Sequence, residues 1–122
     1  MKTVRWGIVS TGRIADQFCQ DLVTVANAEI AAVAARNIDS AQTFADKFGI
    51  GKAYQGYQAM FDDPTIDVVY IGTPHTFHFQ HSYDALMAGK SLLCEKPFTV
   101  SVEQCQILSE LAKSKGLFLM EA

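Results

Sequence analysis

Apolar positions along this chain follow two rhythms. Nearly continuous apolar runs cover Thr3–Val9, Glu29–Ala35, Asp67–Ile71, Ser91–Cys94 and Leu117–Met120, with a shorter one at Lys52–Tyr54. Runs of this kind suit strands covered on both faces. Between them, apolar residues recur at helical spacing. Ile14, Phe18, Leu22 and Val25 mark one face of a first helix. Ala41, Phe44, Ala45 and Phe48 mark a second, closed by Gly49. A short third helix is expected over Tyr57–Asp62, before Pro64, and a fourth over Phe77–Ala88, stopped by Gly89. The fifth opens with Ser101 and Gln104 in capping-box spacing, continues through Cys105, Leu108, Leu111 and Ala112, and stops at Gly116.

Strand and helix alternate from end to end, so the expected class is α/β. Right-handed crossovers then give a doubly wound parallel sheet with helices on both faces and strand order 3-2-1-4-5-6. Residues 1–122 form one domain in this reading. The closing L-F-L-M-E-A reads as a strand with no element after it. The expectation is therefore a piece of a larger protein, with a further domain absent.

Composition narrows the function classes. With 49% hydrophobic and 19% charged residues, the chain can bury a real core. Its net charge of −3 and scattered basic residues offer no field for nucleic acid or an anionic membrane. No apolar run reaches the roughly 18–20 residues of a membrane span. The N-terminus lacks the apolar stretch of a signal peptide, which leaves a cytoplasmic location as the expectation. Cys19, Cys94 and Cys105 show no C-x-x-C spacing and read as reduced thiols. His75, His78 and His81 share helical spacing, but no nearby Cys or carboxylate completes a metal set, so no metal is expected.

Four segments carry candidate chemistry. After the first strand, Ser10-Thr11-Gly12-Arg13-Ile14-Ala15 aligns with G-x-G-x-x-G/A if Ser10 replaces the first glycine. A strand-turn-helix of this form aims backbone N–H groups and a helix dipole at one point, where a diphosphate can sit. Gly12 would admit the diphosphate closely, and Ala15 would allow close helix-strand packing. A purely structural turn is the alternative. At the end of the second strand, Ala34-Ala35-Arg36-Asn37 has no carboxylate for a ribose 2′-OH. Arg36, about two dozen residues beyond Gly12, would instead suit a 2′-phosphate, unless it is a solvated surface arginine. These features favour NADP over NAD as the coenzyme.

The fourth strand runs into Gly72-Thr73-Pro74-His75-Thr76-Phe77-His78 at the carboxyl edge of the sheet, near its switch point. Thr73 and Pro74 would line the middle of a dinucleotide. His78 would face the nicotinamide ribose, or simply cap the helix. The fifth strand ends in Glu95-Lys96-Pro97. Two charges at the end of a buried strand are costly unless paired or used. The candidates are a loop ion pair or a lysine that moves a proton to or from a substrate hydroxyl.

Taken together, these segments resemble the glucose-fructose oxidoreductase / inositol dehydrogenase / rhizopine catabolism (Gfo/Idh/MocA) oxidoreductases. The resemblance rests on G-I-V-S-T-G-R-I-A at Gly7–Ala15 and on A-A-R-N at Ala34–Asn37 with the A-x-x-F-A helix after it. It rests equally on G-T-P-H-T-F-H at Gly72–His78 and A-G-K-S-L-L-C-E-K-P-F at Ala88–Phe98. The dihydrodiol dehydrogenase-like branch is the most similar. The resemblance implies a Rossmann domain that binds NAD(P) through Ser10, Thr11, Gly12, Arg13, Ile14, Arg36, Thr73, Pro74, His75, His78, Glu95 and Lys96. It implies that Lys96 is the catalytic lysine and that Glu95 helps to hold the nicotinamide ribose. It also implies a second domain carrying the pocket for a sugar, polyol or diol, and a homo-oligomer when that domain is present. Ser10 in place of glycine and His75 in place of the common asparagine depart from the family pattern. Without its second domain the chain is expected to bind coenzyme but to turn nothing over. A non-catalytic NAD(P)-sensing module is the alternative, and Lys96 argues against it. A receiver-like domain fits poorly, because Thr3–Gly12 contains no acid.

Overall fold

A computed structural model describes residues 2–96, 99 and 101–122. Its strands β1 (Val4–Val9), β2 (Ala28–Ala35), β3 (Lys52–Gln55), β4 (Val68–Ile71), β5 (Ser91–Cys94) and β6 (Leu119–Glu121) form one sheet. The pairing order is β3-β2-β1-β4-β5-β6 and every pairing is parallel, as the alternation predicts. The helices are α1 (Arg13–Leu22), α2 (Ile38–Phe48), α3 (Gln58–Phe61), α4 (His78–Met87) and α5 (Val102–Lys115).

Successive strand residues point to opposite faces, so each central strand feeds two cores. Ile8, Val33 and Tyr70 join Ala15, Cys19, Phe44 and Ala45 of α1 and α2 on one face. Val9, Ala34 and Ile71 join Met60, Phe61, Leu86 and Leu108 of α3, α4 and α5 on the other. The five residues Ala31 to Ala35 are all buried. Four of them are alanines, whose small side chains let helices approach β2 closely from both sides. Burial pushes the Cys19 and Cys94 thiols up to about 12, which keeps them protonated and inert.

Local chemistry accounts for both ends of α2 and of α5. Asn37 caps α2 by accepting from the Asp39 and Ser40 amides, and the Ser101 hydroxyl caps α5 by accepting from the Gln104 amide. Gly49 and Gly116 end α2 and α5 in the left-handed conformation.

Some expectations need correction. Ile14 and Val25 do not belong to the buried face of the first helix, being 46% and 45% exposed. The buried arc is Ala15, Cys19 and Leu22. The helix also stops at Leu22, because Thr24 turns back on Asp21 through both its amide and its hydroxyl. The third helix is shorter than Tyr57–Asp62. The fourth is preceded by a separate 3-10 turn, His75–Phe77. The last strand starts two residues late, since the Leu117 amide still bonds Ala112 and the Phe118 amide bonds the Ser91 hydroxyl. Pro97 and Phe98 of the E-K-P-F segment lie outside the described residues.

Candidate functional site

Parallel pairing sends the carboxyl ends of β1, β4 and β5 to one edge. Val9 pairs with Ile71, and Ile71 with Cys94. The chain is tied on just past these pairs: the Gly72 amide bonds Val9, and the Glu95 amide bonds Ile71. Neighbouring strands lie about 4.8 Å apart. The Gly12 bend and the Glu95-Lys96 tip are therefore two strands apart on one rim.

A groove of about 470 Å³ opens on this rim between the ends of β1, β2 and β4. Ser10, Thr11, Arg36, Thr73 and Pro74 line it, so five of the expected site residues meet there. Gly12, Arg13 and Ile14 stand exposed at the start of α1, beside Thr11. No side chain caps this end of α1, so the first-turn amides remain available to an anion. The one acid of that turn, Asp16, is engaged by Lys47 of α2 and Gln20, which hold its carboxyl below the usual range.

The turn is strained where the family pattern has glycine. Ser10 has φ 108°, a conformation side chains rarely adopt, and is the positive-φ non-glycine residue among those described. Its hydroxyl compensates in part by accepting from the Gly12 amide at 3.1 Å. Ser10→Gly should therefore raise the unfolding free energy by about 1 kcal/mol, because relief of strain exceeds the loss of one exposed hydrogen bond. Ser10→Ala, which keeps the strain and loses the bond, should lower it by about as much. Urea unfolding of the two variants reads the opposite signs.

Arg36 is exposed and is the one formally charged side chain in the groove lining. Sequence reading missed several of its neighbours. Asn37, Ser40 and Tyr57 also line the groove, and a narrower slot adjoins it between Arg36, Tyr57, Thr73, Pro74, Phe77 and His81. Tyr57 and Phe77 flank His81 at 4.6 and 5.7 Å between ring centroids. His81 Nδ1 lies 3.0 Å from the Thr73 hydroxyl, and burial lowers the His81 pKa, so the ring is neutral near pH 7. The positive charge of the groove is thus concentrated on Arg36. Asn37 directly follows Arg36 in the A-A-R-N segment, whereas no local pattern marks Ser40 or Tyr57 for this wall. Phe77 and His81 meet locally, four residues apart at the start of α4, and a tertiary contact brings Tyr57 to them.

Two expected residues are placed differently from the rest. His78 is 1% exposed and does not line the groove. Its Nε2–H donates to the Thr73 carbonyl, which accepts only, so the ring acts on the rim through Thr73. His75 is exposed in the 3-10 turn, outside the groove lining.

At the other end of the rim, Lys96 is exposed and Glu95 partly buried. They do not pair with each other. The Glu95 carboxylate accepts from the Tyr70 hydroxyl at 2.5 Å, and Lys96 has no ion pair among the described residues. An exposed lysine thus stands next in sequence to a carboxylate held by Tyr70.

A depression of about 430 Å³ also lies at the opposite, amino-terminal edge of β1–β3. Its cations are engaged, Arg5 by Glu29 and the Thr65 carbonyl, and Lys52 by Asp63. Open α/β sheets bind ligands outside the carboxyl ends of their strands, which favours the Arg36 groove.

Comparison with known proteins agrees with this geometry. Residues 4–122 match the Gfo/Idh/MocA model, described as an oxidoreductase family with an NAD-binding Rossmann fold. The D-xylose 1-dehydrogenase (NADP(+)) of Hypocrea jecorina is 44% identical over 98% of this chain and 34% of its own length. Human trans-1,2-dihydrobenzene-1,2-diol dehydrogenase is 44% identical over 98% of this chain and 36% of its own. A crystal structure of a 3-ketoreductase from Actinomadura kijaniata in complex with NADP superposes with a TM-score of 0.95 at 34% identity, over 98% of this chain and 38% of that one. The chain thus spans about a third of the length of these relatives.

Proposed function

Because the chain belongs to the NAD-binding, Rossmann-fold Gfo/Idh/MocA oxidoreductase family, we propose that it is the coenzyme-binding part of an NADP-dependent oxidoreductase. The reaction is hydride transfer to or from the hydroxyl-bearing carbon of a sugar, polyol or diol. The observation that carries the coenzyme choice is the groove whose single charged lining residue is Arg36, with no carboxylate beside it. That donor set fits a 2′-phosphate and would leave a bare 2′-OH without its usual acceptor. The NADP-dependent relatives support the same choice.

In this reading the amides of Arg13 and Ile14, with the hydroxyls of Ser10 and Thr11, hold the diphosphate, and Gly12, lacking a side chain, admits it closely. Thr73 and Pro74 support the middle of the coenzyme, and His78 steadies Thr73 from below through its carbonyl. His75, exposed on the same turn, would meet the coenzyme only outside the groove. Glu95 accepts from the nicotinamide ribose. The coenzyme supplies the hydride acceptor or donor. Lys96, open to solvent at the rim, holds at Nζ the proton exchanged with the substrate oxygen.

Substrate recognition belongs in this proposal to a second domain, which also mediates homo-oligomerisation. The chain's coverage of about a third of its relatives supports that division. Among the described residues no helix is long and apolar enough to cross a membrane. A cytoplasmic location accords with the three unpaired cysteines.

The test is a calorimetric titration of the 122-residue chain with NADPH. Saturable binding near one-to-one stoichiometry is expected. No saturable signal with millimolar ligand would overturn the proposal.

A further inference from the structure

We propose that Tyr70 is a positioning residue that presets the Glu95 carboxylate for the nicotinamide ribose. The proposal rests on the coenzyme reading above. It adds a residue of the sheet interior to the machinery at the rim.

Tyr70 lies one residue before the end of β4 and is fully buried. Its ring is gripped on two sides. Phe18 of α1 stacks on it, with centroids 3.9 Å apart and planes 5° from parallel. Gly72 lies against its edge, where an added Cβ would come within 2.9 Å of Cε2 and 3.4 Å of the hydroxyl. Any side chain at position 72 would therefore displace the ring. So confined, the phenol has one direction in which to donate, and it donates to Glu95 Oε2 across the β4–β5 pairing.

Burial, reinforced by the hydrogen bond to Glu95, raises the Tyr70 phenol well above its ordinary range, so it remains a donor. Glu95 is held from two directions, its amide by Ile71 and its carboxylate by Tyr70. A glutamate has several free rotors, and fixing them before a ligand arrives removes part of the cost of binding. A phenol donates one hydrogen bond, and a carboxylate has about four acceptor sites. Capacity for a ribose diol therefore remains.

The experiment titrates the wild-type chain, Tyr70→Phe, Glu95→Ala and the double variant with two ligands. One is NADPH. The other is adenosine 2′,5′-bisphosphate, which carries the Arg36 end of the coenzyme and lacks the nicotinamide ribose. Phenylalanine keeps the stack on Phe18 and the fit to Gly72, so only the hydroxyl is lost. Tyr70→Phe should weaken NADPH by about five- to tenfold and change the bisphosphate by less than about twofold. Glu95→Ala alone should give a similar selective loss, and Tyr70→Phe added to it should change NADPH by less than about twofold.

Equal weakening of both ligands by Tyr70→Phe would reduce Tyr70 to a structural role and overturn the proposal. So would an unchanged NADPH affinity in Tyr70→Phe, or an undiminished Tyr70→Phe effect in the Glu95→Ala background. In those cases wild-type NADPH binding would persist, leaving the coenzyme reading intact. Failure of the wild-type chain to bind either ligand would sink both. Should Tyr70→Phe fold poorly, Glu95→Ala alone decides, since an unchanged NADPH affinity there leaves nothing for Tyr70 to position.

Discussion

Asp63→Ala should lower the unfolding free energy by about 2–3 kcal/mol, the cost of removing a buried carboxylate that gathers four hydrogen bonds from half-buried and exposed donors. Asp63 is 7% exposed at the turn between α3 and β4. Its carboxylate accepts from the Thr65 amide and hydroxyl, the Lys52 ammonium and the Tyr54 hydroxyl. The same turn is tied to β5 by Lys90, a buried lysine whose Nζ donates to the carbonyls of Asp63 and Ile66. A domain of this size holds only about 5–15 kcal/mol in total, so the variant should give up a sizeable share of it. Lys52 recovers water readily, its side chain being 43% exposed. Thr65 is exposed as well, so most of the loss falls on the half-buried Tyr54 hydroxyl and on the turn that the carboxylate holds.

The Thr65 and Lys52 hydrogen bonds hold the Asp63 carboxyl well below the usual carboxylate range. Depression in the folded state means that the unfolded chain binds the proton more readily. The contribution of Asp63 is then complete above the ordinary aspartate value of about 4 and is lost as pH falls from there toward the depressed folded value. Urea unfolding of the wild type and Asp63→Asn should show it. Wild-type stability should fall more steeply than that of Asp63→Asn below about pH 4, and the two slopes should agree near neutrality. Parallel slopes throughout would refute the role given to this carboxylate.

Arg36→Ala should weaken NADPH by about ten- to thirtyfold and change NADH by less than about threefold. Charge-assisted contacts from a guanidinium to a phosphate are worth roughly 1.5–3 kcal/mol, and the lower part of that range applies because Arg36 is exposed and screened by salt. No other charged side chain in the groove lining can take its place. Arg36→Lys should lie between, since it keeps the charge and loses the paired N–H geometry. Calorimetry with both coenzymes measures the ratio directly. Equal losses for NADPH and NADH would remove the 2′-phosphate contact.

Local signals were legible where adjacent residues carry the whole cause. The turn at Ser10–Ala15, the Gly49 and Gly116 stops, the Ser101 cap and the strand order follow from spacing, capping chemistry and the handedness of crossovers. The buried face of α1 was misread because apolar periodicity finds hydrophobic residues without saying which arc meets the sheet. Ile14 fits the pattern yet faces solvent, and Cys19 packs in its place. Asp62 and Asp63 are alike as letters, and only the fold buries the second.

What the amino-acid order determined by itself was the doubly wound sheet and, with it, which loops share the carboxyl rim. Period, capping and crossover hand act within a few dozen residues. What the tertiary structure alone decided was the company each side chain keeps there. It turned Glu95 toward Tyr70 instead of Lys96, and set Tyr57, Phe77 and His81 beside Arg36. These contacts join residues from different strands and helices, and their geometry comes from sheet register and packing, which no local stretch of sequence encodes.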